Sequence, residues 1–154
     1  MKSDPEVIRI LNDLLTNELT AINQYFIHAK LCKHWGSHKL AEKIHAESID
    51  EMKHADVIIE RILFLEGVPN LQRLNKLHVG ENVKEALGAD LQFEYAAISF
   101  LNESIEILRK LGDHGSDELL RKILVGEEEH TDWLETQLDL IQTLGEQNYL
   151  AEQM

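Results

Sequence analysis

The chain has 154 residues, 44% of them hydrophobic and 28% charged, enough for a sizeable core, and a single domain over residues 1–154 is expected. Its 15 lysines and arginines against 28 aspartates and glutamates give a net charge of −13, which repels nucleic acid and anionic lipid and attracts cations. No apolar run approaches the roughly 18 residues of a membrane span, Met1-Lys2-Ser3-Asp4-Pro5 lacks the apolar core of a signal peptide, and the lone Cys32 permits no internal disulfide, so a reducing cytoplasm is the expected compartment.

Asp4-Pro5 reads as a helix start, with Asp as N-cap and Pro in the first helical position. From there Ile8, Leu11, Leu15, Glu18, Ile22, Tyr25, Ala29 and Cys32 follow a 3/4 spacing, a bundle seam interrupted by one acid, and the helix ends near Trp35-Gly36. Ser37 is expected to cap a second helix with the seam Leu40, Ile44, Glu47, Glu51, His54, Ile58 and Leu65, stopping at Gly67-Val68-Pro69. The turn between these helices is short enough to force an antiparallel pair.

Residues 66–81 form a long connection. Sixteen extended residues reach up to roughly 50 Å, and a 28-residue helix is about 42 Å long, so the connection crosses the bundle and starts the third helix parallel to the second. That helix, about 82–111, carries Leu87, Leu91, Glu94, Ile98, Leu101, Ile105 and Leu108. After the turn Gly112-Asp113-His114-Gly115, Ser116 is expected to cap a fourth helix with Leu120, Ile123, Glu127, His130, Leu134, Gln137, Ile141 and Leu144 on its seam. Gly145 ends it, and residues 146–153 read as a short tail helix. The expected fold is all-α: a four-helix bundle with one long crossover between helices 2 and 3 and a short C-terminal helix.

Six polar residues interrupt these seams near mid-helix. Glu51-Met52-Lys53-His54 and Glu127-Glu128-Glu129-His130 both read E-x-x-H. Residues three apart on a helix lie about 60° apart and one turn up, so each stretch offers a carboxylate and an imidazole to one point. Glu18 and Glu94 each lie 33 residues upstream of the corresponding Glu, and the two trios are related by one offset of 76. Four carboxylates in an apolar core repel one another and are costly to desolvate. Two divalent cations neutralise them and leave the imidazoles as neutral ligands, and mixed carboxylate and imidazole ligation suits iron or manganese. Glu42 and His45 repeat the short motif off the seam, with Arg9 at the upstream position, and serve as an internal control. A di-iron peroxidase or oxygenase would use the same six ligands on another substrate; a purely structural bundle leaves the acids unexplained.

Other residues carry weaker signals. Glu47 falls on the second seam, either beside an entry path or at the widening end of the bundle. Tyr25, two turns past Glu18, is placed to hydrogen-bond a ligand, to donate an electron, or simply to pack. Metal-bound imidazoles need an outer hydrogen-bond acceptor, for which Asp50 and Asp90 are the candidates; the position matching Asp50 is Gly126, so the half-sites need not be equivalent. Met52 lies about 100° round the helix from Glu51, pointing outward from a stripe with Ile49 and Ile59, and Ile22 and Phe26 of the first helix are expected beside it. Such a strip is either plain packing or a subunit contact.

The chain resembles the bacterioferritins along essentially its whole length. The resemblance rests on Asn17-Glu18-Leu19, Ala21-Ile22-Asn23-Gln24-Tyr25-Phe26, the run Glu47 to Asp56 around Met52, Phe64-Leu65-Glu66-Gly67, Glu127-Glu128-Glu129-His130 and Leu134-Glu135-Thr136-Gln137-Leu138. A Glu from each of two helices with a Glu-x-x-His from each of the others is the pattern of ferritin-like di-iron proteins. The resemblance implies iron storage and ferroxidase activity, with iron(II) oxidised by dioxygen or hydrogen peroxide. It implies a hollow 24-subunit cage of two-fold dimers around a ferric mineral, with or without a second subunit type. Glu18 and His54 would hold one iron and Glu94 and His130 the other, with Glu51 and Glu127 bridging. Met52 from two subunits would ligate a shared haem b that helps release the mineral, fed by a small ferredoxin. Two departures stand out: His45 occupies a position where several relatives carry tyrosine near the haem, and Ala46 one where some carry a histidine facing the cavity.

Overall fold

The computed structural model describes residues 1–154 as five helices and no strand: α1 (Pro5–His34), α2 (His38–Phe64), α3 (Val83–Lys110), α4 (His114–Leu144) and α5 (Glu146–Gln153). It is an all-α four-helix bundle with a short C-terminal helix. No helix is long and apolar enough to cross a membrane.

Local chemistry accounts for most boundaries. The Asp4 carboxylate accepts from the Glu6 amide at 2.8 Å, and Pro5 opens α1. Asn82 caps α3 by accepting from the Glu85 amide at 2.9 Å. Three expected ends differ. Ser37 occupies the N-cap position of α2, but its side chain makes no capping hydrogen bond. At α4 the cap is Asp113, not Ser116: its carboxylate accepts from the Ser116 amide at 3.0 Å, and Arg61 of α2 donates to the same oxygen at 3.0 Å. A carboxylate both satisfies an orphan amide and opposes the positive helix end, so it outcompetes the hydroxyl three residues on. Finally, α2 stops at Phe64, before Gly67. Glu66 takes the left-handed turn at φ 63°, whereas Gly67 is needed for close approach, since a Cβ there would lie 2.7 Å from Ile8 Cδ1.

The core falls into two apolar clusters that fix the topology. One joins Leu11 and Leu15 of early α1 to Ile58 and Ile62 of late α2, Leu101 and Leu108 of late α3, and Leu120 of early α4. The other joins Tyr25 and Cys32 of late α1 to Leu40 and Ile44 of early α2, Leu87 of early α3, and Leu134 and Ile141 of late α4, and closes on Tyr149 of α5. Helices α2 and α3 therefore run parallel, and the chain between them returns the length of the bundle, as the crossover argument requires.

That crossover lies along α1 on a polar stripe with one residue every four: Asn12, Thr16, Thr20, Gln24 and His28. The Asn70 amide donates to Asn12 Oδ1 (2.9 Å), Arg73 Nε to Thr16 Oγ1 (2.9 Å) and the Asn75 amide to Thr20 Oγ1 (3.0 Å). The His78 amide donates to Gln24 Oε1 (3.1 Å) and the Gly80 amide to His28 Nε2 (3.0 Å). Residues at four-residue spacing share one helix face, so the stripe is a track that pairs the extended chain.

Candidate metal centre

The seam-breaking residues sit in the gap between the two clusters. Glu18 follows Leu15 on α1, Glu51 and His54 lie between Ile44 and Ala55 on α2, Glu94 lies between Leu91 and Leu101 on α3, and Glu127 and His130 lie between Ile123 and Leu134 on α4. One donor atom from each of Glu18, Glu51, His54 and Glu127 lies within 4.8 Å of the others. His54 Nδ1 is 3.1 Å from Glu127, 3.5 Å from Glu18 and 3.6 Å from Glu51. Glu94 and His130 stand beside this group, joined to each other at 3.1 Å. Five of the six are buried and His54 is half-buried. The control pair, Glu42 and His45, is exposed on the outside of α2.

The electrostatics are those of carboxylates and imidazoles crowded into a buried site. Glu18 Oε2, Glu94 Oε2, both Glu127 oxygens and His54 Nδ1 are buried with no hydrogen-bond partner; His54 is close to three carboxylates but aligned with none. Each such atom costs on the order of 1–3 kcal/mol. Burial raises the Glu18 carboxyl, and burial with the neighbouring Glu18 raises Glu51 well above the ordinary range. Burial and the proximity of Glu127 push Glu94 up to about 8, and burial pushes Glu127 up to about 7. Burial opposes a charged ring at His54, but the closeness of the Glu127, Glu18 and Glu51 carboxylates outweighs it and raises the imidazolium pKa. Glu94 does the same for His130. Protons thus take up charge that a divalent cation would otherwise balance.

Neighbours shape the two halves differently. The Tyr25 hydroxyl donates to Glu94 Oε1, and its ring meets His130 edge-on at 5.2 Å. Burial, then the Glu94 charge, raises the Tyr25 pKa well above its ordinary value and keeps it a donor. On the other side His130 stacks with Trp133 at 6.1 Å and 20°. Glu47 is buried with one oxygen 3.7 Å from His130 Nδ1 and the other 2.9 Å from Lys43 Nζ, at the rim of a cavity of about 410 Å³ between α2 and α4.

Asp50 and Asp90 do not accept from His54 or His130. Asp50 is exposed and lies 3.8 Å from Lys53. Asp90 is buried, but its Oδ1 accepts from His28 Nδ1 at 2.8 Å and Gln24 Nε2 at 2.9 Å. The reason is reach: α1 packs directly against that turn of α3, and its long side chains arrive first. Sequence reading missed His28 and Gln24, for which the four-residue stripe was the available signal, and missed Lys43 and Trp133, which had none. Met52 lies where expected, 51% exposed on the outer face, with Ile49 and Phe26 exposed and Ile22 and Ile59 half-buried.

A family profile described as ferritin-like domain matches residues 8–144. The chain is 51% identical over 152 residues to a protein named bacterioferritin from Mycobacterium leprae, covering 99% of this chain and 96% of that one. Proteins of the same name from Brucella melitensis and Streptomyces coelicolor are 52% and 54% identical, covering 97% and 98% of this chain and 92% and 90% of theirs.

Proposed function

Because the chain belongs to the ferritin-like family and, within it, to the bacterioferritins, we propose that it stores iron and acts as a ferroxidase, an Fe(II):oxygen oxidoreductase, at the centre built from Glu18, Glu51, His54, Glu94, Glu127 and His130. Residues 1–154 then make up one ferritin-like di-iron domain. The observation that carries the reading is the set of five buried, partnerless ligand-type atoms, all belonging to these six residues. An apolar bundle gains nothing from such a set, whereas two divalent cations satisfy it.

Iron(II) is the substrate. Glu18 and His54 take one ion, Glu94 and His130 the other, and Glu51 and Glu127 serve both. Four carboxylates balance the two divalent charges, and both imidazoles must be neutral to ligate, so protons held by these groups leave as iron enters. Two Fe(II) supply two electrons. With hydrogen peroxide as oxidant, those electrons and two protons break the O–O bond and give two waters; with dioxygen they give one hydrogen peroxide. The side chains fix the distance between the ions and balance charge. The product Fe(III) moves on to a mineral enclosed by a 24-subunit cage of two-fold dimers of this chain, with or without a second subunit type. A chain of net charge −13 favours cation accumulation in such a shell.

A haem b also fits the outer face. Met52 presents an exposed thioether, Phe26 and Ile49 are exposed as well, and one copy supplies a single sulfur, so two copies related by a two-fold would hold the ring between them. When bound, the haem supplies one-electron transfer for reducing stored mineral, with a small ferredoxin as the electron source. A cytoplasmic location goes with this chemistry.

Anaerobic Fe(II) added to the pure protein, followed by air, is expected to give a rapid rise in ferric absorbance. The double variant Glu18→Ala with Glu127→Ala should remove the fast phase, and oxidation at the parent rate in that variant would end the catalytic reading. Elution as a very large particle with a visible haem band checks cage and haem together.

A further inference from the structure

Of the six residues at the centre, His54 alone is not buried, and it lines the cavity between α2 and α4 together with Glu51 and His130. On the opposite side the crossover covers α1 along its polar stripe. The cavity is therefore the approach for an incoming cation, and none of its lining residues is hydrophobic. One of its two buried carboxylates, Glu47, is not free. Its Oε1 is 2.9 Å from Lys43 Nζ, and that ammonium also lies 5.3 Å above the Trp133 ring. An ammonium held by a carboxylate on one side and an aromatic face on another has a defined place at the rim.

The geometry points to Lys43 as a gate residue for cation entry to the His130 half: its ammonium occupies Glu47, a buried carboxylate lining the cavity beside His130, and must be exchanged for the metal before Glu47 can pass an ion to His130. This deepens the ferroxidase reading and rests on it. Two features make the exchange easy. Lys43 precedes Glu47 by four residues on α2, the weaker orientation of such a pair. The lysine side chain is also 43% exposed, so water competes for it. Lys53, the other lysine on the cavity, pairs only with the exposed Asp50 at 3.8 Å and holds nothing on the path. Once Lys43 swings out, Glu47 Oε2, already 3.7 Å from His130 Nδ1, is positioned to pass the ion inward.

Anaerobic stopped-flow loading with Co(II), read by its visible ligand-field bands, tests the gate without any oxidation step. In Lys43→Gln the His130 half should load faster than in the parent by on the order of tenfold at low salt, with unchanged final stoichiometry. Lys43→Arg should restore the parent rate. Glu47→Gln should load more slowly, and adding Lys43→Gln to it should bring no acceleration. Loading of Lys43→Gln at the parent rate would overturn the gate while leaving the centre intact. A parent protein that takes up no Co(II) would overturn the metal-centre reading, and the gate with it.

Discussion

The two halves of the centre share a ligand pattern at an offset of 76 residues, yet their surroundings differ. Glu94 is held by the Tyr25 hydroxyl, whereas the residue related to Tyr25 by the offset is the buried Leu101, which offers Glu18 nothing. His130 has Glu47 beside it; the counterpart of Glu47 is the apolar Ile123. The His130 side chain is 3% exposed and that of His54 21%. One half is thus the more buried, with Glu94 Oε1 hydrogen-bonded to Tyr25 and His130, and the other is the more exposed, with Glu18 Oε2 and His54 Nδ1 unpartnered. Repetition along a sequence sets how many donor groups meet; what packs against them sets how available each one is. The first cation should settle at Glu18 and His54, where no existing hydrogen bond must be given up.

The sharpest way to break this comparison is to remove one imidazole at a time. In anaerobic Co(II) titrations, His54→Ala should abolish the tighter of two binding steps, weakening it by more than the roughly 10–100-fold that loss of an outer partner costs. His130→Ala should leave that step in place and remove the weaker one. Equal losses from the two variants would mean that the halves are equivalent despite their neighbours.

Protonation separates the halves less strongly, and its sign follows from the raised values. The Glu94 and Glu127 carboxyls, near 8 and 7 in the folded protein, titrate near the ordinary 4.5 when unfolded. Between those values the folded state holds more protons than the unfolded one, so metal-free stability falls as pH rises from about 4.5 to about 8. The raised His54 and His130 act in the same sense, since their stabilising contribution is lost as pH rises towards their folded values. Chelator-treated protein should show a thermal midpoint several degrees higher at pH 5.5 than at pH 8.5, and Glu94→Gln with Glu127→Gln should flatten that slope. In weak buffer, Co(II) binding should release more protons per ion at pH 6.5 than at pH 9.

The bundle and the meeting of its seam-breaking side chains were readable because both rest on helical periodicity. Apolar seams at 3/4 spacing place the helices, and an acid or histidine on a seam must point inward. The length of residues 66–81 against that of a helix gave the topology. Caps were less legible, because Asp113 and Ser116 are both good N-cap residues, and Arg61, from another helix, decides between them. Likewise Asp90 sits at a plausible distance from the centre in sequence, and only the packing of α1 on α3 shows that Gln24 and His28 claim it. Contacts across helices with no repeat of their own, such as Lys43 on Trp133, leave no periodic trace at all.

Asp90 therefore gives the mildest test of the contrast, and one in which a small effect is the informative result. The buried His28 ring uses both nitrogens, Nδ1 with Asp90 and Nε2 accepting from the Gly80 amide, and so ties α1, α3 and the crossover together. In Asp90→Asn the carboxamide oxygen can keep both incoming hydrogen bonds, but as a neutral acceptor in place of a charged one. A loss of about 1–3 kcal/mol in the urea unfolding of metal-free protein is expected. Because Asp90 touches none of the six ligands, the weaker Co(II) step should change by less than about twofold. If that step instead weakened tenfold or more, Asp90 would be an outer partner of the His130 half after all, and the closure of that half would depend on α1 as a whole rather than on Tyr25 and Glu47.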